Sequence, residues 1–261
     1  MELSLDEQAS LSFSNHNVEK LSESDLVIFT VKAWQVEEAT TPLLQHLDPD
    51  TILMFLHNGM GAVDQIATQI DAHPVVLATT TQAAFKPDRN NVSHTGIGQT
   101  QLGTFNLKGQ QCTFLVDVLE HALPTVSWNP EIKTALWTKL AINCAINPLT
   151  GLEQITNGEL VDQRFSEVLS SIIREITQVM LAEGITCSFD ELETSVNKVI
   201  QATAKNNSSM KQDMFYQRKT EIDFITGHLI KTALKHQIDV PVNQKLFDQV
   251  KERENSWNQQ D

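Results

Sequence analysis

The chain has 261 residues, of which 41% are hydrophobic, so it is long enough to bury one large core or two ordinary ones. Its 19 basic and 33 acidic residues give a formal net charge of -14, which repels phosphate backbones and anionic lipids. We therefore expect binding neither to nucleic acid nor to a membrane. The acidic N-terminal segment resembles no signal peptide, which predicts a cytoplasmic protein. The three cysteines, Cys112, Cys144 and Cys187, match no metal-ligand or disulfide spacing, so we expect reduced thiols and no metal site.

The first half of the chain alternates short apolar runs with helical patterns, which predicts an α/β domain. From residue 91 to 105 a glycine-punctuated alternation predicts an antiparallel hairpin attached to the sheet. The other expected elements are a strand in LSFSN, a buried parallel strand at 26–31, a helix at 34–46, a strand at 52–56, a helix at 62–70, a strand at 75–81 and a closing helix at 112–122.

After the turn Trp128-Asn129-Pro130 the strand patterns nearly stop, and long helical periodicities follow. The helices are expected at about 131–147, 166–183, 190–204, 220–236 and 242–256. This change predicts a first domain of residues 1–128 and an all-helical domain of residues 129–261. We expect the two to pack closely and a ligand to occupy the cleft between them.

A nucleotide-dependent enzyme is suggested by this order, yet no strand followed by G-x-G-x-x-G occurs in the sequence. Gly96 and Gly98 form a G-x-G, but in a predicted hairpin rather than at the start of a helix. The better candidate is Asn58-Gly59-Met60-Gly61, which follows one predicted strand and precedes a helix. It is either a tight turn that needs positive φ or a loop that contacts a ligand.

A polar stripe runs along the helix predicted at 131–147. Lys139, Asn143 and Asn147 recur every four residues among apolar neighbours, so they share one helix face. Pro148 is expected to end or kink the helix at Asn147 and leave that amide accessible. The stripe is either a lysine that reaches water beside two structural asparagines, or a site for carbonyl reduction. In a desolvated cleft the pKa of the lysine falls, which suits it to protonate a developing alkoxide.

A second group of polar residues, 205–227, precedes and begins a helix expected to start near Thr220. Glu221 lies in the first turn, where a carboxylate complements the helix dipole, and Thr220 with Asp223 resembles a weak capping box. Arg218 and Asp213 fit an ion pair. The neighbouring Asn206, Asn207, Ser208 and Ser209 fit a helix cap or a turn.

Taken in order, WTKLAINCAINPLT, TNGEL and NNSSMKQDMFYQRKTEID resemble the signatures of the ketopantoate reductase family. TVKAWQ, LHNGMG and HTGIGQTQLG are similar to the corresponding parts of that family's cofactor domain. The resemblance implies NADP(H)-dependent reduction of 2-dehydropantoate to pantoate, in pantothenate and coenzyme A biosynthesis.

The resemblance also implies roles for individual residues. Lys139 matches the general acid, and Glu221 the carboxylate that contacts substrate and assists the lysine. The matching substrate-cleft positions are Asn58, Asn143, Asn147, Asn157, Asn206 and Ser209, with the serine near the substrate carboxylate. The positions that face the cofactor or the cleft are Lys32, Gln35 and Asn58.

The family pattern begins with a strand and a G-x-G-x-x-G loop, and the sequence enters that pattern just before its third strand. The expected fold is therefore an N-terminally incomplete Rossmann-type domain followed by an all-helical domain. Two alternatives remain open. One is a truncated, noncatalytic homologue that serves as a binding or dimerisation module, and the other is a reductase of another 2-oxo acid. A homodimer is a candidate assembly.

Overall fold

The computed structural model describes residues 2–5, 11–12, 17–86, 88, 90–123 and 125–257. The chain divides into two compact units. The strand unit consists of residues 1–57 and 63–132, and the helical unit consists of residues 58–62 and 133–261. The segment 58–62 therefore belongs with the helices, although it lies in the first half of the sequence. The predicted boundary after residue 128 stays a prediction.

The strand unit contains two sheets. One has the strand order β2-β1-β7-β6 and the other the order β3-β4-β5-β8-β9. The strands are β1 (Glu2–Leu5), β2 (Leu11–Ser12), β3 (Leu26–Phe29), β4 (Ile52–Phe55), β5 (Val75–Thr80), β6 (Ala83–Phe85), β7 (Asn91–Gly96), β8 (Thr100–Thr104) and β9 (Val126–Trp128). The strand expected in LSFSN is present as β2, and residues 13–15 of that motif lie outside the described residues.

The predicted parallel strands are confirmed, since β3 pairs with β4 and β4 with β5 in parallel. The expectation that 26–31 is buried throughout is wrong. Only Phe29 of β3 is buried, and Ile28 is 43% exposed, because β3 is the edge strand of its sheet among the described residues. Phe29 stacks on Phe55 of β4, with ring centroids 4.8 Å apart.

The predicted hairpin between residues 91 and 105 is wrong in its pairing. β7 pairs antiparallel with β6, whereas β8 pairs antiparallel with β5 and parallel with β9. The chain reverses earlier, around Asp88, whose carboxylate accepts hydrogen bonds from the backbone N–H groups of Asn90 and Asn91. The glycines serve close packing instead, because a Cβ on Gly98 would lie 2.3 Å from the backbone carbon of Thr81. The short strand β9 has no clear pattern in the sequence.

The predicted helices of the strand unit exist as shorter, broken pieces. They are α1 (Val36–Thr40), α2 (Ala62–Gln65), α3 (Ala67–Ile70) and α4 (Leu115–Glu120), with 3-10 turns at Val18–Glu23, Ala33–Gln35, Leu44–His46 and Lys108–Phe114. Of these, α4 and the turn Lys108–Phe114 pack on the larger sheet in a core that includes Met54, Val76, Leu102 and Leu115.

The helical unit has six α-helices among its described residues. They are α5 (Ile132–Glu153), α6 (Ser166–Ala182), α7 (Phe189–Ala202), α8 (Ser209–Phe215), α9 (Thr226–Lys235) and α10 (Pro241–Trp257), with 3-10 turns at Asn157–Val161, Gln163–Phe165 and Ile222–Phe224. The helix expected at 220–236 is in fact a 3-10 turn followed by α9, and α8 was not predicted. These helices share a core that includes Trp137, Ile172, Ile176 and Leu229.

Pro148 does not end α5, so the predicted helix end at Asn147 is wrong. The helix continues to Glu153 with Pro148 inside it. Proline removes one backbone donor, the N–H that would bond to the carbonyl oxygen of Cys144 four residues earlier. Close packing of these residues outweighs the local cost, since Asn147, Pro148 and Thr150 are all buried.

In the part of the chain that the structure describes, no helix is both long and apolar enough to cross a membrane. The same residues contain no cluster of three or more histidine, cysteine or acidic side chains that could hold a metal ion. All three cysteines are free thiols. Burial raises the pKa of the Cys144 thiol to about 12, so this side chain is a packing residue rather than a nucleophile.

Candidate active site

The centre of the candidate site is a lysine and a carboxylate in the helical unit. Lys139 lies half-buried on α5, and Glu221, only 3% exposed, immediately precedes the 3-10 turn Ile222–Phe224. Burial lowers the pKa of Lys139, and the negative charge of Glu221 opposes that shift. The structure thus brings together the two residues predicted to be catalytic, although they lie 82 positions apart in the sequence.

Asn58 reaches the same carboxylate from the turn that follows β4. Its Nδ2 donates to Oε2 of Glu221 at 3.5 Å. The turn is tight, as one interpretation of Asn58-Gly59-Met60-Gly61 required: φ is 80° at Gly59 and 90° at Gly61. The N–H of Met60 donates to the carbonyl oxygen of Phe224 at 2.8 Å, so the turn packs against the segment that carries Glu221.

The asparagine stripe lies on α5 as the four-residue spacing predicts. Asn143 is half-buried and Asn147 is buried, 6% exposed, so Asn147 does not lie at an accessible helix end. The turn after Asn147 is bonded to α8, because the hydroxyls of Thr150 and Ser208 are 2.7 Å apart. Ser208 also caps α8, where its Oγ accepts from the N–H of Lys211 at 3.0 Å. Neither Thr150 nor Ser208 was singled out as a site residue from the sequence.

Asn157, Asn206 and Ser209 come from two segments that the structure joins. The N–H of Asn157 donates to the carbonyl oxygen of Asn206 at 3.0 Å, and its Nδ2 donates to the hydroxyl of Thr203 at 2.9 Å. Asn157 is buried, whereas the side chains of Asn206 and Ser209 are exposed. The buried Asn157 therefore joins its own 3-10 turn to the segment that carries Asn206. That segment leads into α8, which begins at Ser209.

Lys32 and Gln35 lie together in the strand unit, just after the carboxyl end of β3. The backbone N–H of Lys32 donates to Oε1 of Gln35 at 3.2 Å, and both side chains are half-buried. The carboxyl ends of parallel strands are where open α/β sheets bind ligands. This placement agrees with a site for a nucleotide, but the roles of the two side chains stay predictions.

The sequence misassigned the partner of Thr220, whereas the ion pair expected between Arg218 and Asp213 stays a prediction. Thr220 does not pair with Asp223 in a capping box; its N–H and hydroxyl both donate to Glu254 on α10, at 2.8 and 2.7 Å. The guanidinium of Arg218 lies 4.8 Å over the ring of Tyr216. A contact across 34 positions leaves no local sequence signal, so the role of Glu254 could only be found in the folded chain.

Comparison with known proteins identifies the family. The model for the family described as ketopantoate reductase PanE/ApbA matches residues 3–106, and the model for its C-terminal domain matches residues 131–254. A 2-dehydropantoate 2-reductase from Vibrio cholerae is 53% identical over 255 residues, which are 98% of this chain and 86% of that protein. The chain belongs to the ketopantoate reductase family.

Another member of the ketopantoate reductase family, a 2-dehydropantoate 2-reductase from Yersinia pestis, is 38% identical over 94% of this chain and 80% of its own length. Among solved structures, a family member from Ralstonia eutropha JMP134 superimposes with a TM-score of 0.87 at 24% identity, covering 99% of this chain and 86% of its own. D-mandelate dehydrogenase in complex with NADH and anilino(oxo)acetate superimposes with a TM-score of 0.85 at 22% identity, covering 92% of this chain and 80% of its own. These structural matches establish the fold: a Rossmann-type domain followed by a helical domain.

Proposed function

We propose that this chain catalyses the NADPH-dependent reduction of 2-dehydropantoate to pantoate, a step of pantothenate and coenzyme A biosynthesis. The observation that carries the proposal is the Lys139–Glu221 pair, found in a chain 53% identical to a 2-dehydropantoate 2-reductase. Lys139 is the proton donor, and Glu221 binds the substrate and keeps the lysine charged.

The chemistry follows from the charge that develops during reduction. NADPH, when bound, would supply a hydride for the ketone carbon, and the electron pair of the former C=O bond would then lie on oxygen. Lys139 donates a proton to that oxygen, which completes the alcohol. Burial lowers the pKa of the lysine and makes it a stronger acid. The negative charge of Glu221 raises the same pKa and so keeps the lysine protonated before the reaction.

The side chains proposed to bind the substrate suit a small 2-oxo acid that also carries a hydroxyl. Glu221 can accept a hydrogen bond from that hydroxyl, and the amides of Asn143 and Asn147 can bind the hydroxyl or the carbonyl oxygen. Ser209 and Asn206 are exposed donors, suited to the substrate carboxylate. Asn58 orients Glu221, and Asn157 holds the segment of Asn206 in place.

The cofactor residues in this proposal are Lys32, Gln35 and Asn58. Lys32 offers a cation for a phosphate group, and Gln35 and Asn58 offer amides for the ribose or the nicotinamide carboxamide. The placement of Lys32 and Gln35 just after β3 fits a dinucleotide at the carboxyl ends of parallel strands. The sequence contains no G-x-G-x-x-G loop to hold a pyrophosphate, so NADPH affinity is the property to measure first.

We place the protein in the cytoplasm as a homodimer. The expectation for assembly rests on a structural neighbour from Staphylococcus aureus, described as a dimeric ketopantoate reductase, with a TM-score of 0.82 at 21% identity. Sedimentation velocity of the purified chain tests the assembly, and a monomer at micromolar concentration would contradict it.

The proposed function is tested by titrating the purified chain with NADPH, and then adding 2-dehydropantoate while cofactor oxidation is followed by absorbance. We expect saturable binding and substrate-dependent oxidation that Lys139→Ala reduces by roughly 100-fold or more while its circular dichroism spectrum stays native. A folded chain that neither binds NADPH nor oxidises it would instead support a noncatalytic homologue. A panel of 2-oxo acids is the specificity control, and faster turnover of another member would reassign the substrate.

A further inference from the structure

The segment that carries Glu221 is fastened to the last helix of the protein. Thr220, 1% exposed, donates from both its backbone N–H and its hydroxyl to one oxygen of Glu254, Oε1, at 2.8 and 2.7 Å. Glu254 lies on α10 and is itself buried, 7% exposed. Two bonds to one carboxylate oxygen fix the residue directly before Glu221 in both backbone and side chain.

A second attachment joins the segment on the other side of Glu221 to the same helix. Nζ of Lys251 lies 3.0 Å from Oε2 of Glu254 and 2.9 Å from Oδ2 of Asp223. Burial alone would lower the pKa of Lys251, but its bonds to the two carboxylates outweigh that effect and raise it. The lysine therefore stays protonated and links the residue two positions after Glu221 to the carboxylate that holds Thr220.

Between these two attachments the backbone of Glu221 makes a tight turn. Its carbonyl oxygen accepts from the N–H groups of Phe224 and Ile225, both at 3.0 Å. The direction of the Glu221 side chain thus depends on the positions of Thr220 and Asp223 on either side. If Glu254 were removed, the buried N–H of Thr220 would lose its acceptor, and the segment would have to shift to satisfy it.

We propose that Glu254 is a positioning residue, which acts through Thr220 to hold the carboxylate of Glu221 beside Lys139. Lys251 supports the same arrangement from the Asp223 side. The inference rests on the proposed function, in which Glu221 binds substrate and assists the lysine. It adds a residue on α10 that acts on the site through its bonds to Thr220 and Lys251.

Kinetic coupling tests the proposal. We expect Glu254→Ala to lower kcat/KM for 2-dehydropantoate roughly tenfold, mainly through KM, and to change it less than about twofold when Glu221 is already Gln. Glu254→Gln should retain most activity, because its Oε1 still accepts both bonds from Thr220. The matched control is Glu252→Ala, an exposed carboxylate on the same helix. An equal loss from Glu254→Ala in both backgrounds would overturn the proposal.

A second readout needs no substrate. With lysines dimethylated by 13C-formaldehyde, and the Lys139 resonance assigned by its loss in Lys139→Arg, NMR titration reports the pKa of Lys139 directly. Glu254→Ala should lower that pKa in the same direction as Glu221→Gln, because the carboxylate moves away. Thr220→Val, which removes one of the two bonds, should act in the same direction to a smaller extent and serves if Glu254→Ala does not fold.

The two readouts separate the two ideas. A wild-type chain that reduces no 2-dehydropantoate would refute the proposed function, while the titration would still decide the role of Glu254. A pKa of Lys139 that stays unchanged in both folded variants, Glu254→Ala and Thr220→Val, would overturn the positioning role whatever the substrate.

Discussion

Replacement of Glu175 by alanine should lower the stability of the helical unit by several kcal/mol. This carboxylate is 8% exposed, and its two oxygens accept three hydrogen bonds at the start of α10. The donors are the N–H of Val242 at 2.9 Å, the N–H of Asn243 at 3.0 Å and Nδ2 of Asn243 at 2.8 Å. The negative charge also meets the positive end of the helix dipole.

The expected loss of unfolding free energy follows from these contacts. Glu175→Ala leaves two backbone donors without their acceptor at a buried helix start, which costs about 4 kcal/mol of unfolding free energy. Glu175→Gln keeps one accepting oxygen and turns an amide N–H toward the other donors, so the cost is about 2 kcal/mol. At roughly 3 °C per kcal/mol, the alanine variant should melt roughly 12 °C lower than wild type.

Urea titration followed by circular dichroism, together with calorimetry, measures both variants. Glu167→Ala is the matched control, because Glu167 is an exposed carboxylate on the same helix, α6. We expect the control to change the unfolding free energy by less than about 0.5 kcal/mol. A loss below about 1 kcal/mol in Glu175→Ala, or an equal loss in the control, would refute the reasoning that this carboxylate anchors α10.

Three further predictions concern the site and its surroundings. A general acid must be protonated, so kcat/KM should fall as pH rises through the pKa of Lys139; Glu221→Gln removes the charge that raises this pKa and should move the fall to lower pH. Bonds from Lys235, His236 and Lys133 hold the pKa of Glu183 at about 2, below its usual 4.5. Glu183→Gln should therefore cost about 1 kcal/mol at neutral pH after allowance for solvent screening, and the difference from wild type should vanish as pH falls from 4.5 to 2. Gly59→Ala should destabilise the protein by about 2 kcal/mol, because φ is 80° there and a Cβ would lie 2.5 Å from the carbonyl oxygen of Phe224.

Each of these predictions has a measurement that can contradict it. The prediction for Lys139 would be wrong if kcat/KM of Glu221→Gln fell over the same pH range as that of wild type. The prediction for Glu183 would be wrong if acid unfolding, monitored by fluorescence, showed the same difference in stability between Glu183→Gln and wild type at pH 2 and at pH 7. For the glycine, Gly184→Ala is the comparison, since that residue has φ of 78° but an added Cβ would meet no atom within 4 Å, so it isolates backbone strain from the clash. Equal losses of unfolding free energy in the two alanine variants would show that the contact with Phe224 costs nothing.

The sequence alone determined the elements with long or regular patterns. Helices α6, α7 and α10 and strands β4 and β5 lie within about two residues of their predicted bounds, because a single amphipathic or apolar period specifies each of them. The sequence did not determine how β7 and β8 pair, because local alternation does not specify which strand a segment will join. Pro148 shows the same limit, because burial of the surrounding turn overrides the local preference of proline.

For the site, the sequence determined which chemical groups are available, through the order of its motifs and the spacing of Lys139, Asn143 and Asn147 on one helix face. Only the tertiary structure decided which groups meet. It placed the Asn58 turn in the helical unit against Glu221, and Glu254 against Thr220 across 34 positions. Such contacts depend on how helices pack, and packing is set by the whole core rather than by any segment, so no local pattern records them.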